Sequence, residues 1–234
     1  MSGSLDGKTI IITGAAGNLG RATTALLLAE GAGVAAFDRP GAALDALPDH
    51  PALEKVALPD LADEAACAAA IAAVIARHDG LDGVVHTVGG FAWAGLADSP
   101  AALWEHQFRL NVLTTLNVLR SAAAHMRAHG GGSIVAVGAG AAQRAPAGMS
   151  AYAAAKSAVH RMIESFADEL KGEAVRVNAV LPGTMDTPQN RADMPDADPT
   201  KWTRTEEVAA TIAFLLSDAG SGITGVLVPV PGRG

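Results

Sequence analysis

The sequence predicts an α/β fold, a doubly wound parallel sheet in a single domain spanning residues 1–234. Three observations predict it. Uninterrupted apolar runs such as Ile10-Ile11-Ile12 and Ile134-Val135-Ala136-Val137 recur along the chain, as strands covered on both faces require. Longer helical patterns separate these runs, the alternation that builds βαβ units. A glycine-rich turn, Thr13–Gly20, joins the first apolar run to the first helical pattern.

The first strand is expected at Lys8–Thr13, with a helix over about 18–30 beyond the turn. Strands follow at Gly33–Asp38 and Lys55–Leu58. The next helix, about 62–78, is alanine-rich, and reads as a strong helix former packed closely on the sheet. Gly83–Thr87 is the fourth strand, a long helix covers about 100–128, and Ser133–Val137 is the fifth. A helix over about 150–171 and a strand at Val175–Leu181 come next. Residues 184–203 carry Pro188, Pro195 and Pro199 with several charges. That stretch is too long for a simple connection, and is expected to be a mobile substrate lid. A helix at about 205–217 and a strand at Val226–Val230 complete the pattern.

Composition bounds the partners. Hydrophobic residues make up 50% and charged residues 18% of the 234, a globular balance, and the formal net charge is −7. No Lys/Arg cluster is present, which argues against nucleic acid or an anionic membrane as partner. No apolar stretch is long enough to cross a bilayer, and the first residues lack the apolar core of a signal peptide. The single Cys67 forms no internal disulfide and reads as buried filler. A cytoplasmic location is expected, and no metal is called for.

The turn carries the first chemistry. Gly14, Gly17 and Gly20 lie between a strand and a helix, with Asn18 and Leu19 among them. Glycines there permit a tight turn, let backbone approach a pyrophosphate, and pack the helix on the strand. The helix start then offers free N–H groups to phosphate. A Rossmann-type dinucleotide fold is the reading. Asp38, about twenty residues past the turn, can accept from the adenosine ribose hydroxyls and repel a 2′-phosphate. Arg39 beside it could hold that phosphate instead. The balance favours NAD(H) over NADP(H). Asp60, with Leu61 next to it, is either an acceptor for the adenine amino group or the cap of the following helix.

Tyr152 and Lys156 are four apart at the head of a helix and share one face. A nearby ammonium and a cationic nicotinamide would favour phenolate and lower the tyrosine's pKa from about 10. Tyr152 could then give or take the reacting proton.

With the turn, Asp38, Asp60, Asn111, Tyr152, Lys156, Pro182-Gly183 and Thr187 in view, the chain resembles the short-chain dehydrogenase/reductases over nearly its whole length. The resemblance implies that Lys156 also bonds the nicotinamide ribose, that Asn111 holds a water relay to the lysine, and that Pro182, Gly183 and Thr187 contact the cofactor. It implies close backbone approach at Gly89. It also implies a small-molecule substrate and a homodimer or homotetramer pairing the long helices. Three positions depart from the family. Asn18 replaces a glycine in the turn. His86-Thr87-Val88-Gly89 replaces Asn-Asn-Ala-Gly. Ala139, thirteen residues before Tyr152, stands where the family has the serine that polarises a substrate carbonyl.

One branch that lacks this serine is dihydropteridine reductase. The chain is similar to it in Gly138–Ala142 with Pro146–Met149, in Ala158-Val-His160, in Val88–Gly95, and in the lid strings Met185–Arg191, Met194–Asp198 and Trp202-Thr203. Asn111 is a departure, because the animal pterin enzyme does not keep it. The likeness implies reduction of a quinonoid dihydropterin or a related conjugated C=N, whose ring spreads charge without help from a hydroxyl. Phe91 and Trp93 would stack on such a ring or pack the lid. Ala139 and Met149 would bound the substrate, and Trp202 would anchor the lid or bound the substrate; with another conjugated imine, quinone or activated carbonyl as acceptor, Gln143 or a water would supply the missing hydrogen bond. The alternatives are another short-chain enzyme acting on a carbonyl or alcohol, and a non-catalytic NAD-binding protein.

Overall fold

The computed structural model describes residues 3–233. Seven strands form one sheet: β1 (Thr9–Thr13), β2 (Gly33–Asp38), β3 (Leu53–Ala57), β4 (Gly83–His86), β5 (Gly132–Val137), β6 (Val175–Pro182) and β7 (Leu227–Val230). Their order is β3-β2-β1-β4-β5-β6-β7, and every neighbouring pair is parallel. The expected doubly wound fold is present. The third strand lies earlier than expected, at Leu53–Ala57 in place of Lys55–Leu58.

The apolar runs are continuous because both faces of the sheet are covered. Ile11, Val84, Ile134 and Val177 belong to one core. Ile10, Ile12, Val85, Val135 and Val180 belong to the other. Successive side chains of a strand point to opposite faces, so adjacent residues fill different cores. Helices α1 (Asn18–Ala29) and α8 (Thr205–Leu216) pack against each other over the second core. Helix α2 (Ala42–Asp45) is a single turn; α3 (Glu64–His78), α5 (Thr114–Ala128) and α6 (Ser150–Leu170) close the first core. Cys67 is fully buried in α3, where burial pushes its thiol up to about 11. Asp63 caps α3, its carboxylate accepting from Ala66 N at 3.0 Å. The cap is therefore not Asp60.

The long helix expected over 100–128 is in three parts. Helix α4 (Ala101–Phe108) runs into one wide π turn, Arg109–Leu113, and then into α5. Hydroxyl side chains hold the wide turn: Thr114 Oγ1 donates to Leu110 O at 2.6 Å, and Thr115 Oγ1 to Asn111 O at 2.6 Å. Such side-chain bonds compete with the regular helical ladder, and π turns recur where a helix meets a functional site.

Segment 184–203 contains α7 (Pro188–Asp193) and a 3₁₀ turn at Pro199–Lys201. Its two ends are stapled together. Asp186 N donates to Thr203 O at 2.8 Å, and Thr203 N to Thr184 O at 2.9 Å.

Candidate active site

Sheet order places the site. The chain winds outward from β1 to β2 and β3, then returns to set β4 on the other side of β1. A crevice opens at such a switch point, outside the carboxyl ends of the strands. Thr13 is level with both Phe37 and His86, so the loops after β1, β2 and β4 leave the sheet together. A cleft of about 1210 Å³ lies there. It exceeds the usual range for one small ligand, and has room for a dinucleotide and a small second molecule.

One half of the cleft is built from the glycine turn. Gly14 has φ +73°, which a side chain resists, and a Cβ there would fall 2.6 Å from Thr87 Oγ1. A Cβ on Gly20 would fall 2.0 Å from Gly14 O, so only glycine lets α1 sit on the turn. Gly17 starts α1 without a side-chain cap, which leaves the first N–H groups for a ligand. Asp38 closes this half: its Oδ2 accepts from Ala16 N at 2.8 Å and its Oδ1 from Arg39 N at 2.7 Å. The cradle fits a dinucleotide, with one carboxylate tied to the glycine turn. Gly14, Gly17, Asn18, Leu19, Gly20, Asp38, Arg39, Asp60, Leu61 and Gly89 all line the cleft. Asp60 accepts from Ala62 N at 2.8 Å and pairs with Arg109. The Ala62 N–H, and then Arg109, hold its carboxyl below the usual range.

In the other half, Tyr152 reaches the cleft from the first turn of α6, with Ala139, Met149, Pro182, Gly183 and Thr187 also on its wall. Thr187 caps α7, accepting from Asn190 N at 3.2 Å, so its hydroxyl proton stays available. Phe91 also lines the cleft and meets Tyr152 edge to face.

Lys156 and Asn111 stand behind this wall, beneath Gly89. A Cβ on Gly89 would lie 2.8 Å from Asn111 Oδ1 and 3.0 Å from Lys156 Nζ. Only a glycine keeps the two groups and the cleft this close. Asn111 is fully buried and grips the next residue twice: Oδ1 accepts from Gly90 N at 3.2 Å, and Nδ2 donates to Gly90 O at 3.1 Å. Its Nδ2 also donates to Gln107 O at 3.0 Å. Lys156 Nζ donates to Val137 O at 2.8 Å.

The expected lowering of the tyrosine is not found in the protein by itself. Burial pushes the Tyr152 phenol up to about 12. Burial also brings Lys156 down to about 8, and the ammonium is held by a carbonyl. Tyr152 is thus a stored proton at neutral pH.

His86 joins two parts of the site. It is buried, with Nδ1 2.8 Å from Thr13 Oγ1 and Nε2 3.4 Å from Thr114 Oγ1. Burial, then the Lys156 charge, brings it down to about 3. Thr87 donates to Thr13 O at 2.8 Å and Gly14 O at 3.2 Å. Beneath Ala139, His160 Nε2 accepts from Ala139 N at 3.3 Å.

Three expected substrate residues fall elsewhere. Gln143 is exposed and off the cleft wall; the chain turns past it and places Arg144 there. Trp93 is 65% exposed and lies outside the cleft, over Gly148, where a Cβ would fall 2.2 Å from the indole. It joins two loops: Ala94 N donates to Gly148 O at 2.8 Å. Trp202 is also off the wall, ending the 3₁₀ turn beside Gly232. His106, Leu110 and Thr114 also stand on the wall, at positions not expected from the sequence. Their spacing of four marks one helical face and was available as a signal. Arg144 carried no such signal.

The chain belongs to the short chain dehydrogenase family, whose pattern it matches over residues 8–198. It is an oxidoreductase of that family, which uses NAD(P) and acts on small molecules. It is 32% identical to the 3-oxoacyl-(acyl-carrier-protein) reductase of Thermotoga maritima, over 97% of this chain and 98% of that one. It is 34% identical to the cis-4-hydroxycyclohexanecarboxylate dehydrogenase of Sinomonas cyclohexanicum, over 96% and 95%. A solved short-chain type dehydrogenase/reductase from Mycobacterium ulcerans superposes with a TM-score of 0.90 at 32% identity, covering 97% of this chain and 89% of that one. Among the described residues, no helix is long and apolar enough to cross a membrane.

Proposed function

We propose that the protein is an NAD(H)-dependent oxidoreductase that interconverts an alcohol and a carbonyl on a compact, ring-sized substrate. The observation that carries this reading is the placing of Tyr152 on the cleft wall with Lys156 and Asn111 directly behind Gly89. The names of the relatives, a ketoacyl reductase and a hydroxycyclohexanecarboxylate dehydrogenase, support the substrate chemistry.

The bound cofactor supplies or removes the hydride. The chain's own work is binding, orientation and the proton. Gly14–Gly20 would hold the pyrophosphate and Asp38 the adenosine ribose, where its charge selects NAD(H) over NADP(H). Pro182, Gly183 and Thr187 would bound the nicotinamide end. Tyr152 gives its proton to the carbonyl oxygen in reduction and takes it from the hydroxyl in oxidation. Lys156 would bond the nicotinamide ribose from beneath Gly89, and the positive charge of an oxidised cofactor would favour phenolate. Asn111 positions the 89–91 loop. Residues 184–203 act as the lid. Paired long helices give a homodimer or homotetramer, in the cytoplasm.

A second reading, reduction of a quinonoid dihydropterin, is favoured by two observations. Ala139 brings no hydroxyl to the cleft, and Phe91 offers an aromatic face beside Tyr152. One assay separates the readings. NADH oxidation is followed with cyclic ketones and with quinonoid dihydropterin, for the native protein, Tyr152→Phe and Ala139→Ser. Ketone turnover that rises in Ala139→Ser and collapses in Tyr152→Phe supports the carbonyl reading. Fast pterin turnover indifferent to Ala139→Ser moves the function to the second. NADH binding without turnover of any acceptor would make this a non-catalytic NAD-binding protein.

A further inference from the structure

Charge is sorted along the cleft. Its two carboxylates, Asp38 and Asp60, both stand at the adenosine half, after β2 and β3. The half around Tyr152 is bounded by Phe91, Ala139, Pro146, Met149 and Met185, and holds one guanidinium, Arg144. Among the described residues, the side chains of Arg39 and Arg144 are the arginines without a hydrogen bond or ion pair; every other arginine meets a carboxylate or a backbone carbonyl. Both unpartnered guanidiniums line the cleft, one at each end. Arg39 has Asp38 beside it; Arg144 has no carboxylate on its half of the wall.

The loop that carries the exposed Arg144 is held on both sides. Before it, Gln143 N donates to Gly140 O at 3.0 Å, and Ser157 Oγ ties Ala142 O to α6 at 3.0 Å. After it, Met149 N donates to Pro146 O at 3.2 Å, and Trp93 covers Gly148. A fork of donors on a fixed loop, in a cleft it shares with these apolar residues and without an ion-pair partner, is suited to a carboxylate, which guanidinium binds through two parallel hydrogen bonds. One guanidinium balances one negative charge, which suits a carboxylate better than a phosphate monoester.

We propose that Arg144 anchors the substrate, and that the substrate carries a carboxylate placed away from the carbon that reacts at Tyr152. The inference rests on the oxidoreductase reading for its turnover test, and on the cleft alone for its binding test. NAD-linked oxidation is measured for cyclohexanols bearing a ring carboxylate, its methyl ester or its carboxamide, using the native protein, R144Q and R144K. The native protein should prefer the carboxylate in kcat/KM. R144Q should lower that preference about ten-fold or more, mainly through KM, and R144K should restore part of it. An equal preference in native protein and R144Q overturns the proposal.

Binding is read separately by calorimetry with cyclohexanecarboxylate and cyclohexyl phosphate, against native protein, R144Q and R39Q. Carboxylate binding lost in R144Q and kept in R39Q supports the anchor, even if no alcohol is turned over; in that case the oxidoreductase reading alone fails. Binding equal in native protein and R144Q, binding lost in R39Q instead, or a clear preference for the phosphate overturns it.

Discussion

Phe91 meets Tyr152 edge to face, with ring centroids 5.1 Å apart and planes at 82°. The contact joins the loop after β4 to the first turn of α6, at the point where the phenol reaches the cleft. It leaves Phe91 57% exposed, a flat apolar surface beside the phenol. Edge-to-face pairs contribute about 0.5–1.5 kcal/mol beyond their buried area. Phe91→Ala should therefore cost about three- to ten-fold in kcat/KM for ring substrates, and less for small acyclic ones. An equal loss on both substrate types would show that Phe91 only braces Tyr152.

Tyr152→Phe removes the hydroxyl and keeps the ring packed against Phe91. Turnover should fall by about a hundred-fold or more, while NADH affinity stays within about three-fold. Because burial raises the phenol to about 12, alcohol oxidation by the native protein should accelerate with pH between about 7 and 9. Reduction uses the proton already present, and should not show that rise. A flat oxidation profile over this range would remove Tyr152 as the base.

Asp38→Asn keeps the bond from Ala16 N and removes the charge beside Arg39. The ratio of kcat/KM for NADH to that for NADPH should drop about ten-fold. A native protein that already prefers NADPH would show that Arg39 governs this end of the cleft.

Asn111→Ala leaves the N–H and C=O of Gly90 without their buried partners. Stability should fall by about 1–3 kcal/mol in denaturant unfolding. Turnover should fall as well, because the 89–91 loop separates Lys156 from the cleft. Asn111→Asp sets a carboxylate oxygen against Gly90 O and Gln107 O in a buried site, and should not recover the stability. A substitution silent in both measurements would reduce Asn111 to a residue of the wide turn.

His86 links pH to stability. Its pKa is about 3 in the folded protein against 6.5 without the fold. On acidification the unfolded chain takes up this proton first. The folded state thus keeps its full stability above pH 6.5 and loses it as pH falls toward 3. The loss from His86 should reach about 2 kcal/mol at pH 5. His86→Asn should flatten that slope, leaving the share of His160, which burial lowers to about 4. Parallel pH profiles for the two proteins would contradict this.

Much of the site was legible because its chemistry is local in sequence. Gly14, Gly17 and Gly20 lie within one turn, and Tyr152 and Lys156 within one turn of α6. What the sequence left open or placed wrongly are contacts between distant segments. Asp60 and Asp63 are both carboxylates ahead of α3, and only the folded chain shows Asp63 capping it while Asp60 turns to Arg109. The wide turn at Arg109–Leu113 depends on hydroxyl bonds that apolar periodicity does not report. Gln143 and Arg144 are neighbours in a loop, where no period says which side chain faces the cleft. Trp93 reads as a ring that stacks on substrate or packs a lid, and in the fold it covers Gly148, more than fifty residues away.

The sequence by itself determined the two-sided sheet, the glycine turn between β1 and α1, and the placing of Tyr152 and Lys156 on one turn of α6, because each depends on periodicity or spacing within a few residues. Tertiary structure alone decided that Gly89 is the partition in front of Asn111 and Lys156, that the tyrosine stores its proton, and that Arg144 lines the cleft while Gln143 does not. Those outcomes depend on burial and on which loops converge at the switch point between β1 and β4. Desolvation and close approach arise only when segments far apart in the chain are brought together.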